Sequence, residues 1–152
     1  MNFTDAKALT IIISIILWLT AGCGDSPTNV GALSDEIVFS TDKASYAPSD
    51  TLTLVLTNNT KSNAIIGMRC ATYLEMFYQK HDTNGWGDTL WFPYMSLRCV
   101  TLLDTVKVNS TFRHRLPAGL FYATGTFRLT VRFHNPLPDS SRSAVSSSFT
   151  IQ

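Results

Sequence analysis

Charge is scarce in this chain. Asp, Glu, Lys and Arg make up only 15% of its 152 residues, and the formal net charge is +1. So even a balance gives no global attraction for nucleic acid or for an anionic membrane surface, and any electrostatic recognition has to be local. Cysteine is scarcer still: Cys23, Cys70 and Cys99 are the whole supply, and no C-x-x-C occurs. With His81, His114 and His134 scattered along the chain, no zinc-ligand spacing is present. H-E-x-x-H and G-x-S-x-G are absent as well, so neither a zincin nor an α/β-hydrolase nucleophile is indicated. From residue 36 on, no apolar period of 3.6 residues appears, which argues against helices there. What the sequence does have is 45% apolar residues over a length that suits one domain with its own core.

The longest apolar run lies at the start. Residues 8–21, ALTIIISIILWLTA, follow a short polar segment carrying Lys7. A spanning helix needs roughly 20 apolar residues, whereas the core of a secretory signal takes about 7–15, so the run reads as a signal. Leu19-Thr20-Ala21-Gly22-Cys23 resembles a bacterial lipobox, with Leu19 one place further from the cysteine than is usual. That resemblance implies cleavage before Cys23 and acylation of its thiol, with palmitate among the chains. Residues 1–22 are then a lipoprotein signal peptide and 23–35 the lipidated Cys plus a Gly, Pro, Ser and Asn-containing tether. It places the protein in the cell envelope, held to a bacterial membrane, at the surface or on the periplasmic side of the outer membrane. An ordinary cleaved signal and an uncleaved anchor are the alternatives. With Cys23 taken by lipid, Cys70 and Cys99 remain as an even pair, either bridged in an oxidising compartment or left as buried thiols.

Residues 36–152 alternate with a period of two. Leu52, Leu54 and Leu56 oppose Thr51, Thr53 and Thr57, and Phe127, Leu129, Val131 and Phe133 oppose Thr126, Arg128, Thr130 and Arg132. Ile37 and Phe39 share one face. So, by the same period, do Phe112, His114 and Leu116, and at the end Val145, Ser147, Phe149 and Ile151. Residues 64–81 read as two extended pieces broken near Cys70-Ala71, Asn84-Gly85 as a hairpin turn, and the Pro93 segment as an edge or loop. Seven or eight short strands between turns predict an all-β, two-sheet antiparallel sandwich over residues 36–152.

SYAPSDTLTLVLTNNT, two cysteines with Trp86 after an Asn-Gly turn between them, and GTFRLTVRF together resemble the immunoglobulin-like domains of exported bacterial lipoproteins. Ser49 stands where that pattern has Gly, and Phe127 where it has Tyr. The likeness implies an immunoglobulin-like sandwich and a binding or assembly role without catalysis. More distantly the layout is similar to the intracellular proteinase inhibitor domain. Neither antibody-type spacing nor a strong strand pattern surrounds Cys99, so a bridge there is expected to pin a loop to the sandwich.

The candidate recognition residues form two groups. Trp86, Trp91, Phe92 and Tyr94 are an aromatic cluster able to stack on sugar rings or anchor a protein, unless they plug one end of the sandwich. Arg113, Arg115, Arg128 and Arg132 would project from one outer face if their two strands pair, and otherwise are solvated strand residues. Asp82, Asp88 and Asp104 match no metal-binding loop, and the serines at 140–148 have no base placed beside them. No catalytic residue, metal or cofactor is therefore expected. The expected function is a membrane-anchored binding or structural module with a protein or glycan partner. The alternatives are a protease inhibitor using the 82–98 loop and a carbohydrate-binding module using Trp86 and Trp91. Sequons stand at Asn58 and Asn109.

Overall fold

Thr51–Asn58 sets the architecture. Leu52, Leu54 and Leu56 are at most 1% exposed, while the residues between them face outward. A strand with one apolar face must cover it, and here two sheets cover each other. The computed structural model describes residues 36–135 and 141–152. The expected signal peptide, Cys23 and the tether lie outside the described residues, as does most of the loop before residue 141.

Thirteen strand segments run through the described residues. They are β1 (Ile37–Thr41), β2 (Ser45–Tyr46), β3 (Thr51–Asn58), β4 (Ala64–Arg69), β5 (Tyr73–Leu74), β6 (Met76–Asp82) and β7 (Gly85–Trp86). There follow β8 (Leu90–Trp91), β9 (Thr101–Val106), β10 (Ser110–Pro117), β11 (Gly125–His134), β12 (Ser141–Val145) and β13 (Phe149–Ile151). The first sheet is β1-β3-β10, all antiparallel. The second is built on β11, which pairs β12 and β13 along one edge and β6 and β4 along the other. The expected all-β, two-sheet sandwich is the observed one, antiparallel apart from β2 against β13.

More segments occur than the period-two reading counts, because several strands are interrupted. The C-terminal run shows why. Val145 and Ser147 were expected to share a face with Phe149 and Ile151, but Val145 is 50% exposed and Ala144 is buried. Val145 lies opposite Thr130, whereas Phe149 lies opposite Phe127, so β12–β13 spends one residue more than β11 between these pairs. That bulge flips the face of every side chain beyond it. Ser146 holds it in place: its N–H donates to the Leu129 carbonyl, and its Oγ accepts the Leu129 N–H at 3.0 Å.

Turns elsewhere follow the residues. In Tyr46-Ala-Pro-Ser-Asp50 the Ala47 N–H donates to Asp50 Oδ2 at 3.0 Å, and Ser49 has no need of positive φ, so the Gly of the resembling pattern is dispensable. Tyr46 donates its hydroxyl to Asp42 at 2.6 Å. Burial, reinforced by that carboxylate, pushes the Tyr46 phenol up to about 12. Burial alone would raise Asp42, but its hydrogen bonds from Tyr46 and Thr53 outweigh this and hold it below its ordinary value. The β6–β7 hairpin exists, centred on Thr83-Asn84, with Gly85 at φ 111° opening the return strand.

The inner faces meet in a core of Leu52, Leu54, Leu56 and Leu116 against Phe127, Leu129, Val131 and Phe133. At one end a polar knot joins the sheets. Asn58, fully buried at the end of β3, donates from Nδ2 to the carbonyls of Ser62 and Val106, both at 2.9 Å. Its Oδ1 accepts from the N–H and the hydroxyl of Thr60 at 3.0 and 2.7 Å. Asn135, just past β11, donates to Thr60 Oγ1 at 2.9 Å and accepts from Ser62. A glycan on the Asn58 sequon is incompatible with this packing.

Candidate functional site: the outer face of the second sheet

The second sheet forks. β11 has β6 beside it from Thr126 to Val131, then β4 beside Phe133 and His134. The β5–β6 run fills the gap, because β5 leaves β11 and pairs the far end of β4 through Met68–Leu74 and Arg69–Tyr73. Glu75 sits at the fork. Its N–H donates to the Gly67 carbonyl at 2.8 Å, and its carboxylate accepts from Thr101 Oγ1. Glycine at 67 leaves room for the Glu75 carboxylate, since an added Cβ would strike it and force that side chain to shift. Beyond the fork β4 pairs β9, a strand that the sequence pattern hides because four successive residues, 102–105, are exposed.

The Cys70–Cys99 disulfide closes the base of this fork, with Cα atoms 5.2 Å apart. It links the ends of two neighbouring strands, β4 and β9, where Cys70 N–H also donates to Val100 O at 3.0 Å. As expected, it pins a loop and does not cross the sandwich. The pinned excursion carries β5 to β8 and a 3₁₀ turn, Pro93–Ser96.

Of the four aromatic candidates, two are core. Phe92 is 1% and Tyr94 7% exposed, so neither is available to a partner. Phe92 packs against Tyr78 and Phe121, and Tyr94 stacks on Tyr73 and donates its hydroxyl to Leu74 O at 2.6 Å. Burial, with Tyr73 adding, raises the Tyr94 phenol far above its usual range. They plug the sandwich end under the excursion. The basic group is also divided. β10 belongs to the first sheet and β11 to the second, so the strands do not pair. Arg113 and Arg115 lie opposite Val55 and Thr53 on the outer face of the first sheet, away from Arg128 and Arg132.

Arg128 and Arg132 instead meet the remaining tryptophans. Residues directly opposite in an antiparallel pair share a face, and this places Gln79, Phe77, Trp91 and Trp86 on the Arg face of β11. The Arg128 guanidinium lies 4.3 Å from the Trp86 ring centre and donates from Nε to Gln79 Oε1 at 2.8 Å. Arg132 lies 4.4 Å from the Phe77 ring, and Phe77 lies 3.9 Å from Trp91. Such cation–π contacts contribute about 0.5–1 kcal/mol each at exposed sites. Trp91 stays 54% exposed. Two adjoining cavities share it. One of about 290 Å3 lies over the fork between Glu75, Leu103, Arg132 and His134. The other, about 440 Å3, lies between Arg69 and the 3₁₀ turn. Sequence reasoning passed over Arg69, Gly67 and Glu75, whose joint position depends on the fork.

The other polar candidates do not converge. Among the described residues no three His, Cys, Asp or Glu side chains form a group able to hold a metal ion. Asp82 and Asp104 accept from nearby backbone N–H groups of Asn84 and Thr105. His114 lies inside, opposite Leu54, with its Nε2 unpartnered. Burial holds its pKa below the ordinary 6.5. The folded state thus favours neutral imidazole: its contribution is intact above pH ~6.5 and declines as pH falls below that value. In urea titrations the unfolding midpoint is expected to drop between pH 7 and 5.5, and His114→Leu to flatten that slope. An unchanged slope would contradict the assignment.

Compared with known proteins, the chain matches no family model and no curated protein sequence.

Proposed function

We propose that this chain is a lipid-anchored bacterial envelope protein whose immunoglobulin-like sandwich is a non-catalytic binding module. The apolar run at residues 8–21, ending in Ala21-Gly22-Cys23, supports the anchor. Acylated Cys23 holds the chain on the bilayer, and residues 24–35 tether the sandwich above it. The observation that carries the binding role is the outer face of the second sheet. There an exposed tryptophan, Trp91, stands between two cavities and beside a cationic–aromatic ladder. Concave sites with a large ring and a few polar groups are where small ligands and partner side chains bind. The inhibitor alternative draws less support, because the middle of the 82–98 segment is buried through Phe92 and Tyr94.

Two measurements test the proposal. Intact mass of the membrane-extracted protein is expected to show a chain starting at Cys23 with added acyl mass, lost in Cys23→Ser. Residues 1–22 still attached, with no fatty acid, would overturn the anchor. Chemical crosslinking on native membranes is expected to give an adduct that wild type forms and Arg128→Glu/Arg132→Glu weakens. No adduct, together with no ligand bound by the purified chain, would overturn the binding role.

A further inference from the structure

Three buried side-chain nitrogens in the described residues have no hydrogen-bond partner: Arg69 Nε, His114 Nε2 and His134 Nδ1. His114 is half-buried on β10 in the first sheet and lines neither cavity. The other two belong to residues lining the two cavities that share Trp91, Arg69 in one and His134 in the other. A polar atom without a partner destabilises the fold, and both of these are closed to solvent in the unliganded chain, so a ligand in the cavities reaches them only when the Arg69 and His134 side chains turn toward it. A hydroxyl then serves both, as it accepts from Arg69 Nε–H and either donates to or accepts from an imidazole nitrogen.

The remaining chemistry agrees. Trp91 offers an apolar face, and Leu103, 73% exposed, extends it over the fork. Glu75 and Arg132 cancel within one cavity and Arg69 is the single formal charge in the other, so no cluster of like charges is present to hold an acidic ligand. Arg69 already donates from its two terminal nitrogens to Leu97 O and Thr101 Oγ1, which leaves Nε as the one guanidinium nitrogen without a partner. The smaller cavity, about 290 Å3, sits near the lower end of small-ligand sites, about 300–1,000 Å3. With its neighbour across Trp91, it suits a chain of small rings better than one large ligand.

We infer that the paired cavities bind a neutral oligosaccharide of at least two rings, laid across Trp91, with its hydroxyls on Arg69, Glu75, Arg132 and His134. This rests on the binding-module reading and names its ligand class. Recognition then depends on hydroxyl geometry and ring stacking, not on net charge.

The test is calorimetric titration of the full chain, in a detergent without a sugar headgroup. The probes are neutral oligosaccharides (chitobiose to chitohexaose, cellohexaose, xylohexaose) and an acidic one, hexagalacturonate. The expected result is binding of at least one neutral series, stronger for two rings or more than for the monosaccharide. Raising NaCl from 0.05 to 0.5 M should change it less than twofold. Trp91→Ala is expected to weaken it about tenfold or more, and Glu75→Gln and Gly67→Ala severalfold. Tyr122→Ala, outside both cavities, should leave it unchanged. Circular dichroism and urea midpoints distinguish a lost site from a lost fold. Binding of hexagalacturonate alone, binding indifferent to Trp91→Ala in a folded variant, or no heat with any sugar would each overturn the inference. A native-membrane crosslink that persists in Trp91→Ala while no sugar binds would sink the saccharide assignment and leave the binding module standing.

Discussion

Asn58→Ala is expected to lower the free energy of unfolding by about 3–4 kcal/mol, read as a shift in urea midpoint at constant slope. The side chain is fully buried and makes four hydrogen bonds. Removing it strands the Val106 carbonyl and the Thr60 N–H, and each lost partner costs about 1–3 kcal/mol. The penalty is large because the amide joins strand ends of both sheets, β3 and β9. Asn58→Asp separates the donor and acceptor roles. It keeps the Thr60 contacts but faces two carbonyl oxygens with a carboxylate, so it is expected to destabilise as much as alanine at pH 7 and less at pH 4. Equal stability of wild type and Asn58→Ala would show that the knot does not carry this energy.

The second large effect is expected at the disulfide. Replacing Cys70 and Cys99 together by Ser should cost about 3–4 kcal/mol, since the bridge closes a loop across a sequence separation of 29. The loss should also have a location. Reduced protein is expected to exchange backbone amides faster in residues 70–99 than in β3 or β10, because Phe92 and Tyr94 become the excursion's main anchor. Uniform acceleration across the chain, or a cost below about 1 kcal/mol, would show that the bridge does not set the stability of the fork.

How much of this was legible beforehand depended on the reach of each contact. β3 and β11 were readable because one buried face imposes a strict period of two. The disulfide as a loop pin followed from the weak patterning around Cys99. The β12–β13 phase was misread at a single extra residue, which Ser146 stabilises by imitating a backbone group; nothing in AVSSSFTIQ marks which serine does so. β9 escaped because a strand exposed on both faces does not alternate. Arg113 and Arg115 were grouped with Arg128 and Arg132 on the condition that β10 and β11 pair, and pairing is a long-range choice that side-chain pattern alone does not encode. The fork was invisible for the same reason: Gly67, Glu75 and His134 meet only because β11 changes neighbours part-way along.

The position of β13 bears on how synthesis and folding are timed. This three-residue strand lies between β2 and β11, and it supplies Phe149 opposite Phe127. A chain that folds from its N-terminal side therefore holds Ser45–Tyr46 unpaired until about a hundred further residues are available. During that interval β11 lacks its neighbour along this edge, and Phe127 lacks Phe149 beside it. Such a polypeptide has reason to stay bound to a chaperone until residue 151 is available, and truncation a few positions upstream should yield protein that is degraded and not merely shortened.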